Sequence, residues 1–266
     1  MKNLQDLFNL LWEEYSNKNP QVQKIHENLK TRGEEVINDH IALRTFNDKR
    51  INVDVLAKAF IDFGYKEINQ YKFEEKNLFA KHYEHPENKW PKVFISELIL
   101  DKFSKQLQDT IITSIDQIEL NKIIEWDFSC SQILWIPISK TTYLEVQKES
   151  DYAAWLLTNG FCANHFTVNT NDLKTFDSLE DINQHIKSLG LVINSSGGEI
   201  KGSSKQLLEQ SSTLADQRIY QFSDESATIP CCYYEFAKRY PMQNGKLFQG
   251  FIASSADKIF ESTDSN

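Results

Sequence analysis

Residues 38–45 read Asn38-Asp39-His40-Ile41-Ala42-Leu43-Arg44-Thr45, a stretch with the alternation of a β-strand. Successive side chains of a strand point to opposite faces, so Ile41 and Leu43 share one face while His40 and Arg44 share the other. The first face can pack into a core, and the second offers an imidazole and a guanidinium. The pattern returns 125 residues later in residues 163–170, where an Asn precedes His165 as an Asp precedes His40, and a Thr again follows the His by five places. Two such strands indicate a duplicated site.

The segments that follow the two histidine strands match in order. After His40 the apolar spacing predicts a helix over residues 52–63, ended by Gly64, and then strands over 65–73, 77–83 and 92–99. After His165 it predicts a helix over 178–189 and strands over 218–222 and 231–237, while the polar residues 194–204 and 210–213 are predicted as loops. The sequence therefore predicts an α+β fold in which two βαβββ modules form a half-open barrel around a central cleft. Both histidines would face that cleft.

The remaining segments are predicted to be helical. Apolar residues at positions 4, 7, 8 and 11 indicate an amphipathic N-terminal helix, and a second helix is predicted over residues 21–30. Two further helices, over 102–115 and 143–157, would connect the modules. We predict a single domain over residues 1–266: an N-terminal helical layer (1–36), the first module (37–100), a helical connection (101–160), and the second module with a C-terminal segment (161–262). The tail beyond residue 262 is expected to fray.

Composition restricts the class of protein. The chain has 266 residues, 40% of them hydrophobic, and a net charge of −9, which is typical of an ordinary globular protein without a basic patch. Nucleic acid and anionic membranes are therefore not expected partners. The N-terminus lacks the pattern of a signal peptide, no apolar run approaches a membrane span, and the four cysteines include no Cys-x-x-Cys pair. A cytoplasmic protein with reduced thiols is predicted, and homo-oligomer formation is left open.

Two imidazoles on facing strands supply part of a metal site. A third ligand should be a carboxylate, because two histidines and one carboxylate hold Fe(II) with positions left open for substrate and O2. Repeat logic offers Glu97 and Glu235, each on a late strand of its module. Glu235 is preferred, since it falls on a half-polar face of its strand, whereas Glu97 shares a face with apolar residues, where an unpaired charge is costly. Zinc, manganese or nickel would suit the same residue types.

At this point the chain resembles a known family, the 2-oxoadipate dioxygenases/decarboxylases, also called 2-hydroxyglutarate synthases, whose fold is similar to that of the vicinal oxygen chelate enzymes. The resemblance runs from about residue 5 to 262. It is carried by separate motifs in the same order, namely Arg32-Gly33-Glu34-Glu35 with residues 38–46, Lys92-Val93-Phe94-Ile95-Ser96-Glu97-Leu98, Ala163-Asn164-His165, Tyr234-Glu235-Phe236-Ala237, and Ala256-Asp257-Lys258-Ile259-Phe260-Glu261-Ser262.

The resemblance implies residue roles and a reaction. The family's iron ligands fall on His40, His165 and Glu235, its substrate-binding arginine falls on Arg44, and its C-terminal substrate-contacting segment falls near Ser254 and Ser255. The implied reaction consumes 2-oxoadipate and O2 and yields 2-hydroxyglutarate and CO2, a step of lysine breakdown. The chain is shorter than the characterised bacterial members between the glutamate strand and the C-terminal motif, which bears on the substrate more than on the metal.

Geometry is compatible with these roles, and alternatives stay open. Arg44 lies four residues beyond His40 on the same face, roughly 13 Å along the strand, a span that suits a six-carbon dicarboxylate held by its distal carboxylate. The other interpretations are that Arg44 pairs with a surface carboxylate, that Glu97 only accepts a hydrogen bond from a buried donor, and that Asp39 and Asn164 cap backbone groups or lie on the outer face. Alternative functions are an isomerase or extradiol-type dioxygenase of related fold, and a metal-free binding protein.

Overall fold

The computed structural model describes residues 2–264, which form one eight-stranded sheet, one two-stranded hairpin and nine α-helices within that range. The strands are β1 (Asn38–Phe46), β2 (Lys66–Phe73), β3 (Leu78–Glu84), β4 (Lys92–Leu98), β5 (Ala163–Asn169), β6 (Lys201–Ser203), β7 (Leu208–Ser212), β8 (Gln217–Gln221), β9 (Ser226–Pro230) and β10 (Tyr233–Arg239). The helices are α1 (Leu4–Lys18), α2 (Pro20–Thr31), α3 (Val53–Asp62), α4 (Lys105–Ile115), α5 (Leu120–Ile123), α6 (Lys140–Glu149), α7 (Asp151–Asn159), α8 (Leu179–Ser188) and α9 (Ala253–Phe260).

Two modules with the same strand pairing make up the large sheet. Its order is β2-β3-β4-β1-β5-β10-β7-β6, so the strands that carry His40 and His165 lie side by side at the centre and run antiparallel. In each half the histidine strand pairs in parallel with the last strand of its module, β4 or β10, and the outer pairs are antiparallel. This symmetry confirms the predicted α+β fold, with its duplicated βαβββ unit and curled half-barrel.

The convex face of the sheet is the apolar one. Ile41 and Leu43 of β1 are fully buried there, and Trp12 of α1 packs edge-on against Phe166 of β5 with ring centroids 5.1 Å apart. Helix α1 begins with a capping box, in which the Asn3 side chain and the Asp6 backbone and side chain satisfy each other. Because the convex face takes up the apolar side chains, the polar members of β1, β5 and β10 face the concave side.

Two predicted elements differ from the structure. The helix predicted over 143–157 is divided into α6 and α7 at Ser150, whose side chain accepts a hydrogen bond from the Ala153 amide and so starts a new helix. The loop predicted over 210–213 is wrong, since residues 208–212 form β7, which pairs with β10. The reason is that β7 carries buried polar side chains, among them Gln210 and Ser212, where an ordinary strand would carry apolar ones.

The predicted strand at 218–222 exists as β8, but it pairs with β9 in a separate hairpin instead of joining the large sheet. The fraying predicted beyond residue 262 is wrong for Thr263, which is buried and accepts a hydrogen bond from Arg44; residues 265 and 266 lie outside the described range. Within residues 2–264, no helix combines the length and the apolar character needed to cross a membrane.

Candidate metal centre

Three adjacent strands bring His40, His165 and Glu235 together on the concave face. The register sets His40 of β1 and Glu235 of β10 on either side of Thr167 in β5, with His165 two residues earlier on the same strand face. His165 Nε2 lies 3.2 Å from Glu235 Oε2, and His40 Nε2 lies 3.6 Å from Glu235 Oε1. All three residues are buried, and their potential ligand atoms lie within 4.8 Å of one another. The cluster could hold a metal ion.

Neighbouring side chains orient each of the three. Asp39 Oδ2 lies 2.7 Å from His40 Nδ1, Asn164 Oδ1 lies 3.1 Å from His165 Nδ1, and Gln210 Nε2 donates to Glu235 Oε1 at 2.6 Å. When a histidine donates through Nδ1, its Nε2 keeps the lone pair that a metal requires. The expectation that Asp39 and Asn164 cap backbone groups or lie on the outer face is therefore wrong, because both are buried and each contacts the imidazole that follows it.

The electrostatic state of the cluster favours a cation. Burial lowers the pKa of His165 well below its usual range, and the nearby His40 and Arg44 lower it further, so this imidazole is neutral. Burial raises the pKa of the Glu235 carboxyl, against the opposing effect of His40. A positive charge between them would stabilise the carboxylate without protonating a histidine.

Two atoms of the cluster lack hydrogen-bond partners within residues 2–264. They are His165 Nε2 and Glu235 Oε2, which lie close to each other but without hydrogen-bond geometry. Buried polar atoms are normally paired, so two unpartnered atoms that lie 3.2 Å apart fit a shared metal ion. The donor set of two nitrogens and one carboxylate is that of a facial triad with open positions.

Arg44 lies further along β1 as a second unusual group. Its side chain is 2% exposed and stacks on the rings of Tyr152 and Trp155, with its guanidinium carbon 4.9 and 4.8 Å from their centroids. Its Nη2 donates to Thr263 Oγ1 at 3.1 Å, while Nε and Nη1 have no acceptor in the described part of the chain. The predicted pairing with a surface carboxylate is thus not what the structure shows.

The C-terminal segment covers the concave face. A cavity of about 20 Å³ beside the three candidate ligands is also lined by Phe251 and by Ile259 and Phe260 of α9. A second cavity of about 240 Å³ is lined by Arg44, and Phe260 also belongs to its wall. Phe260 therefore separates the metal cluster from the arginine.

The two serines predicted as substrate contacts both lie on α9. Ser254 is exposed and Ser255 is buried, and neither belongs to the walls of the two cavities within residues 2–264. The structure therefore does not bring either serine to the three ligands or to Arg44.

Glu97, the alternative ligand, lies away from the cluster. Its Oε2 accepts a hydrogen bond from the Val53 amide at the start of α3, as its interpretation as a partner of a buried donor predicts. The strand register explains why repeat logic misplaces it. Glu235 lies beside Thr167, two residues after His165, whereas the residue beside Ala42, two after His40, is Phe94. The first module thus carries an aromatic ring at the position of the second module's carboxylate.

Sequence reasoning missed Gln210, Thr167 and Arg239. Thr167 Oγ1 lies 3.1 Å from His40 Nε2, and Arg239 pairs with Asp39 across the sheet. Thr167 lies two places after His165, so strand alternation could have found it. Gln210 lay in a predicted loop, and no local pattern marks Arg239.

Comparisons with known proteins identify the family of this chain. The model of the 2-oxoadipate dioxygenase/decarboxylase family matches residues 2–249. A chloroplastic 2-oxoadipate dioxygenase/decarboxylase of Arabidopsis thaliana is 33% identical over 276 residues, which cover 94% of this chain and 74% of that protein. The structure of a Shewanella frigidimarina protein, provisionally named a hydrolase, is 49% identical, with a TM-score of 0.90 and coverage of 95% of this chain and 99% of that one.

A solved plant structure is similar over nearly the whole chain. Hydroxyglutarate synthase from Oryza sativa, in complex with 2-oxoadipate, is 31% identical with a TM-score of 0.90, and the match covers 97% of this chain and 91% of that one. The family model and the curated relative each span far more than half of the sequence. The chain belongs to the 2-oxoadipate dioxygenase/decarboxylase family.

Proposed function

We propose that this protein is an Fe(II)-dependent dioxygenase that converts 2-oxoadipate and O2 to 2-hydroxyglutarate and CO2. The observation that carries the proposal is the pairing of a buried cluster of two histidines and a carboxylate with a buried arginine that has two unsatisfied N–H groups. The first suits the 2-oxo acid end of the substrate and the second suits its distal carboxylate. The relatives named for this reaction support the same assignment.

The roles of the residues follow from their positions. His40, His165 and Glu235 would hold Fe(II), which when bound supplies open coordination positions for a 2-oxo acid and for O2. Arg44 would bind the distal carboxylate through Nε and Nη1, and its aromatic neighbours would keep water from that ion pair. A dianion bound between these groups would be neutralised at both ends, which an acidic protein requires of its site.

We propose that Ser254 and Ser255 contact the substrate only after α9, which covers the concave face, has moved. The cavity beside the ligands is about 20 Å³, which is about the space of one water molecule and too small for a six-carbon acid. Substrate entry therefore requires α9 to move, and that movement could bring either serine to the substrate.

The proposal is tested by oxygen uptake. Protein purified without oxygen and reconstituted with Fe(II) is offered 2-oxoadipate, with 2-oxoglutarate and buffer as controls, and CO2 and 2-hydroxyglutarate are quantified. We expect one O2 consumed for each CO2 and each 2-hydroxyglutarate formed. His165→Ala should abolish uptake, whereas His185→Ala, which changes a histidine on α8, should leave it unchanged.

Other outcomes separate the alternatives. Turnover of a substrate without O2 would indicate a metal-dependent isomerase or hydrolase, and binding of 2-oxoadipate without turnover would indicate a binding protein. Uptake that is retained in the His165 variant would contradict the assignment of the ligands.

We propose that the protein resides in a reducing compartment and leave its assembly to experiment. A reducing compartment such as the cytoplasm agrees with four cysteines that form no disulfide, although the Arabidopsis relative is named as chloroplastic. Cell fractionation tests the location, and light scattering of the purified protein tests whether it forms a homo-oligomer.

A further inference from the structure

Arg239, at the end of β10, connects two parts of the site. Its Nε and Nη2 donate to the two carboxylate oxygens of Asp39 at 2.6 and 2.8 Å, a bidentate pair that is 3% exposed on both sides. Asp39 Oδ2 also lies 2.7 Å from Nδ1 of His40. Asp39 therefore links Arg239 to His40, a candidate metal ligand.

The third nitrogen of the Arg239 guanidinium, Nη1, binds a different segment of the chain. Its Nη1 donates to the carbonyl oxygens of Phe248 and Gly250 at 3.0 and 2.9 Å. We call residues 248–251 the strap. At its end the ring of Phe251 lies edge-on to His40, with centroids 4.8 Å apart, and the chain continues directly into α9.

A second tether holds the strap from the other module. The Phe251 amide donates to the hydroxyl of Tyr71 on β2 at 3.3 Å, and this hydroxyl also contacts His82 Nδ1 at 2.8 Å. Among the described residues, Tyr71 forms no hydrogen bond with Asp39 or Arg239. The contact of Tyr71 with the strap can therefore be removed without changing the contact of Arg239, and the reverse.

We propose that Arg239 is a positioning residue that fixes His40 for metal binding through Asp39 and, with the same guanidinium, holds the strap closed over His40. This inference rests on the proposed metal site. Only a planar fork can supply the pair of parallel bonds to Asp39 and the two bonds to carbonyls at once; a lysine at the same position offers a single point charge. The strap leads into α9, which covers the concave face. The orientation of His40 and the closure of the site over it therefore both depend on the Arg239 side chain.

The Asp39 carboxylate accepts both hydrogen bonds of the Arg239 fork and lies 2.7 Å from His40 Nδ1, and all three side chains are buried. Removing the guanidinium would leave a buried carboxylate with an imidazole as its only side-chain partner in the described range.

The experiment measures metal affinity and strap mobility in parallel. The probe is Mn(II), whose free concentration is followed by electron paramagnetic resonance, and amide hydrogen exchange reports residues 248–251. We expect Arg239→Lys to weaken Mn(II) binding by about 10- to 100-fold and to speed strap exchange. Tyr71→Phe should speed strap exchange and leave Mn(II) affinity within about twofold of the wild type, because Asp39 and His40 keep their contacts.

Two further variants complete the test. Arg50→Lys is the matched control, because Arg50 forms a similar bidentate pair with Asp48 on the surface, and it should change neither quantity. If Arg239→Lys does not fold, Asp39→Asn carries the test, with weaker Mn(II) binding and an unchanged strap as the expected result.

The outcomes distinguish the proposal from the metal site beneath it. Wild-type protein that binds no Mn(II) would overturn both. Wild-type protein that binds Mn(II), with an Arg239→Lys or Asp39→Asn variant that binds it equally well, would overturn the role of Arg239 and leave the site intact. Faster strap exchange in Arg50→Lys would show that the exchange effect is not specific and would also overturn it.

Discussion

Arg44 combines a structural cost with a functional position. A buried guanidinium with two unsatisfied N–H groups destabilises a folded protein, and here stacking on Tyr152 and Trp155 offsets only part of that cost. Residues of this kind persist where a ligand completes their contacts. The same atoms that are unsatisfied in the free protein are therefore the ones assigned to the distal carboxylate.

Arg44→Met tests that exchange between stability and binding. Methionine fills a similar volume without an unsatisfied polar group, so we expect the free energy of unfolding to stay unchanged or rise by about 1 kcal/mol. Binding of 2-oxoadipate should weaken at least about 100-fold, while Mn(II) affinity stays within twofold. Denaturant unfolding and calorimetric titration measure these quantities, and 2-oxoadipate affinity equal to that of the wild type would contradict the role of Arg44.

Gln210→Leu tests how the carboxylate is oriented. Gln210 donates to Glu235 Oε1, so its loss frees the carboxylate to rotate and removes a hydrogen bond from a fully buried acid. We expect Mn(II) affinity to fall about 10-fold. The matched control is Gln106→Leu, whose amide contacts an exposed glutamate on α6. An equal loss in both variants would argue against a specific role for Gln210.

At the scale of single residues, the sequence indicates the candidate ligands better than the residues that contact them. His40 and His165 are found because a repeated pattern marks them, and Glu235 follows from strand alternation. Arg239 acts on a ligand 199 positions away along the chain, so no local pattern can identify it. Gln210 is hidden because a polar side chain that serves a buried acid makes its strand resemble a loop.

The helices and strands, like the single residues, could be predicted only in part. Helices α1, α2, α3 and α8 and the strands of the first module lie close to their predicted ranges, because their apolar spacing reflects burial on one face. β6 was missed because it is only three residues long, and β7 was missed because most of its buried side chains are polar, among them Gln210, which serves the site. β9 was missed as well, and it belongs to a hairpin apart from the large sheet.

Gly160 tests the junction between α7 and β5. Its φ is +68°, and an added Cβ would lie 2.2 Å from the backbone of Gln132, which bridges to Phe161. Gly160→Ala should destabilise the protein by about 3 kcal/mol, from backbone strain and the steric clash together. Gly33→Ala is the control, because Gly33 has a φ of +87° with nothing within 4 Å of its Cβ position. It should cost about 1 kcal/mol, and equal losses in denaturant unfolding would contradict the clash.

The packing of α2 on α1 should make stability depend on pH. Burial, and to a smaller extent Lys30, lowers the pKa of His26 to about 4, where its ring packs on Trp12. The unfolded chain binds this proton near pH 6.5, so the contribution of His26 is complete above pH 6.5 and is lost as pH falls toward 4. After a discount for partial exposure, the loss should be about 1 kcal/mol. His26→Gln should flatten that part of the stability curve; an unchanged slope would contradict the assignment.

At the scale of the whole molecule, the two duplicated modules position the candidate site, and a difference between them supplies its carboxylate. The two modules place equivalent strands at the centre, but only the second carries a carboxylate, while the first presents Phe94. The single-domain boundaries inferred from the sequence remain a prediction. The position of α9 over the concave face was not predicted. Helix α9 contacts β2 of the first module as well as β6 and β7 of the second, and such long-range packing leaves no periodic signal in the sequence.

Because α9 spans the mouth of the half-barrel, opening must precede substrate binding. Phe260 packs on Phe73 with ring centroids 5.4 Å apart and separates the cluster from Arg44, so a dicarboxylate that reaches both must displace it. We expect amides of residues 253–263 to exchange faster than those of β1, β5 and β10 in the free protein. They should be further protected when Mn(II) and 2-oxoadipate are added without oxygen, and Arg44→Met should remove the protection due to the acid but keep that due to the metal. Slow exchange of this segment in the free protein would require another entry route, since a cavity of about 20 Å³ cannot admit the substrate.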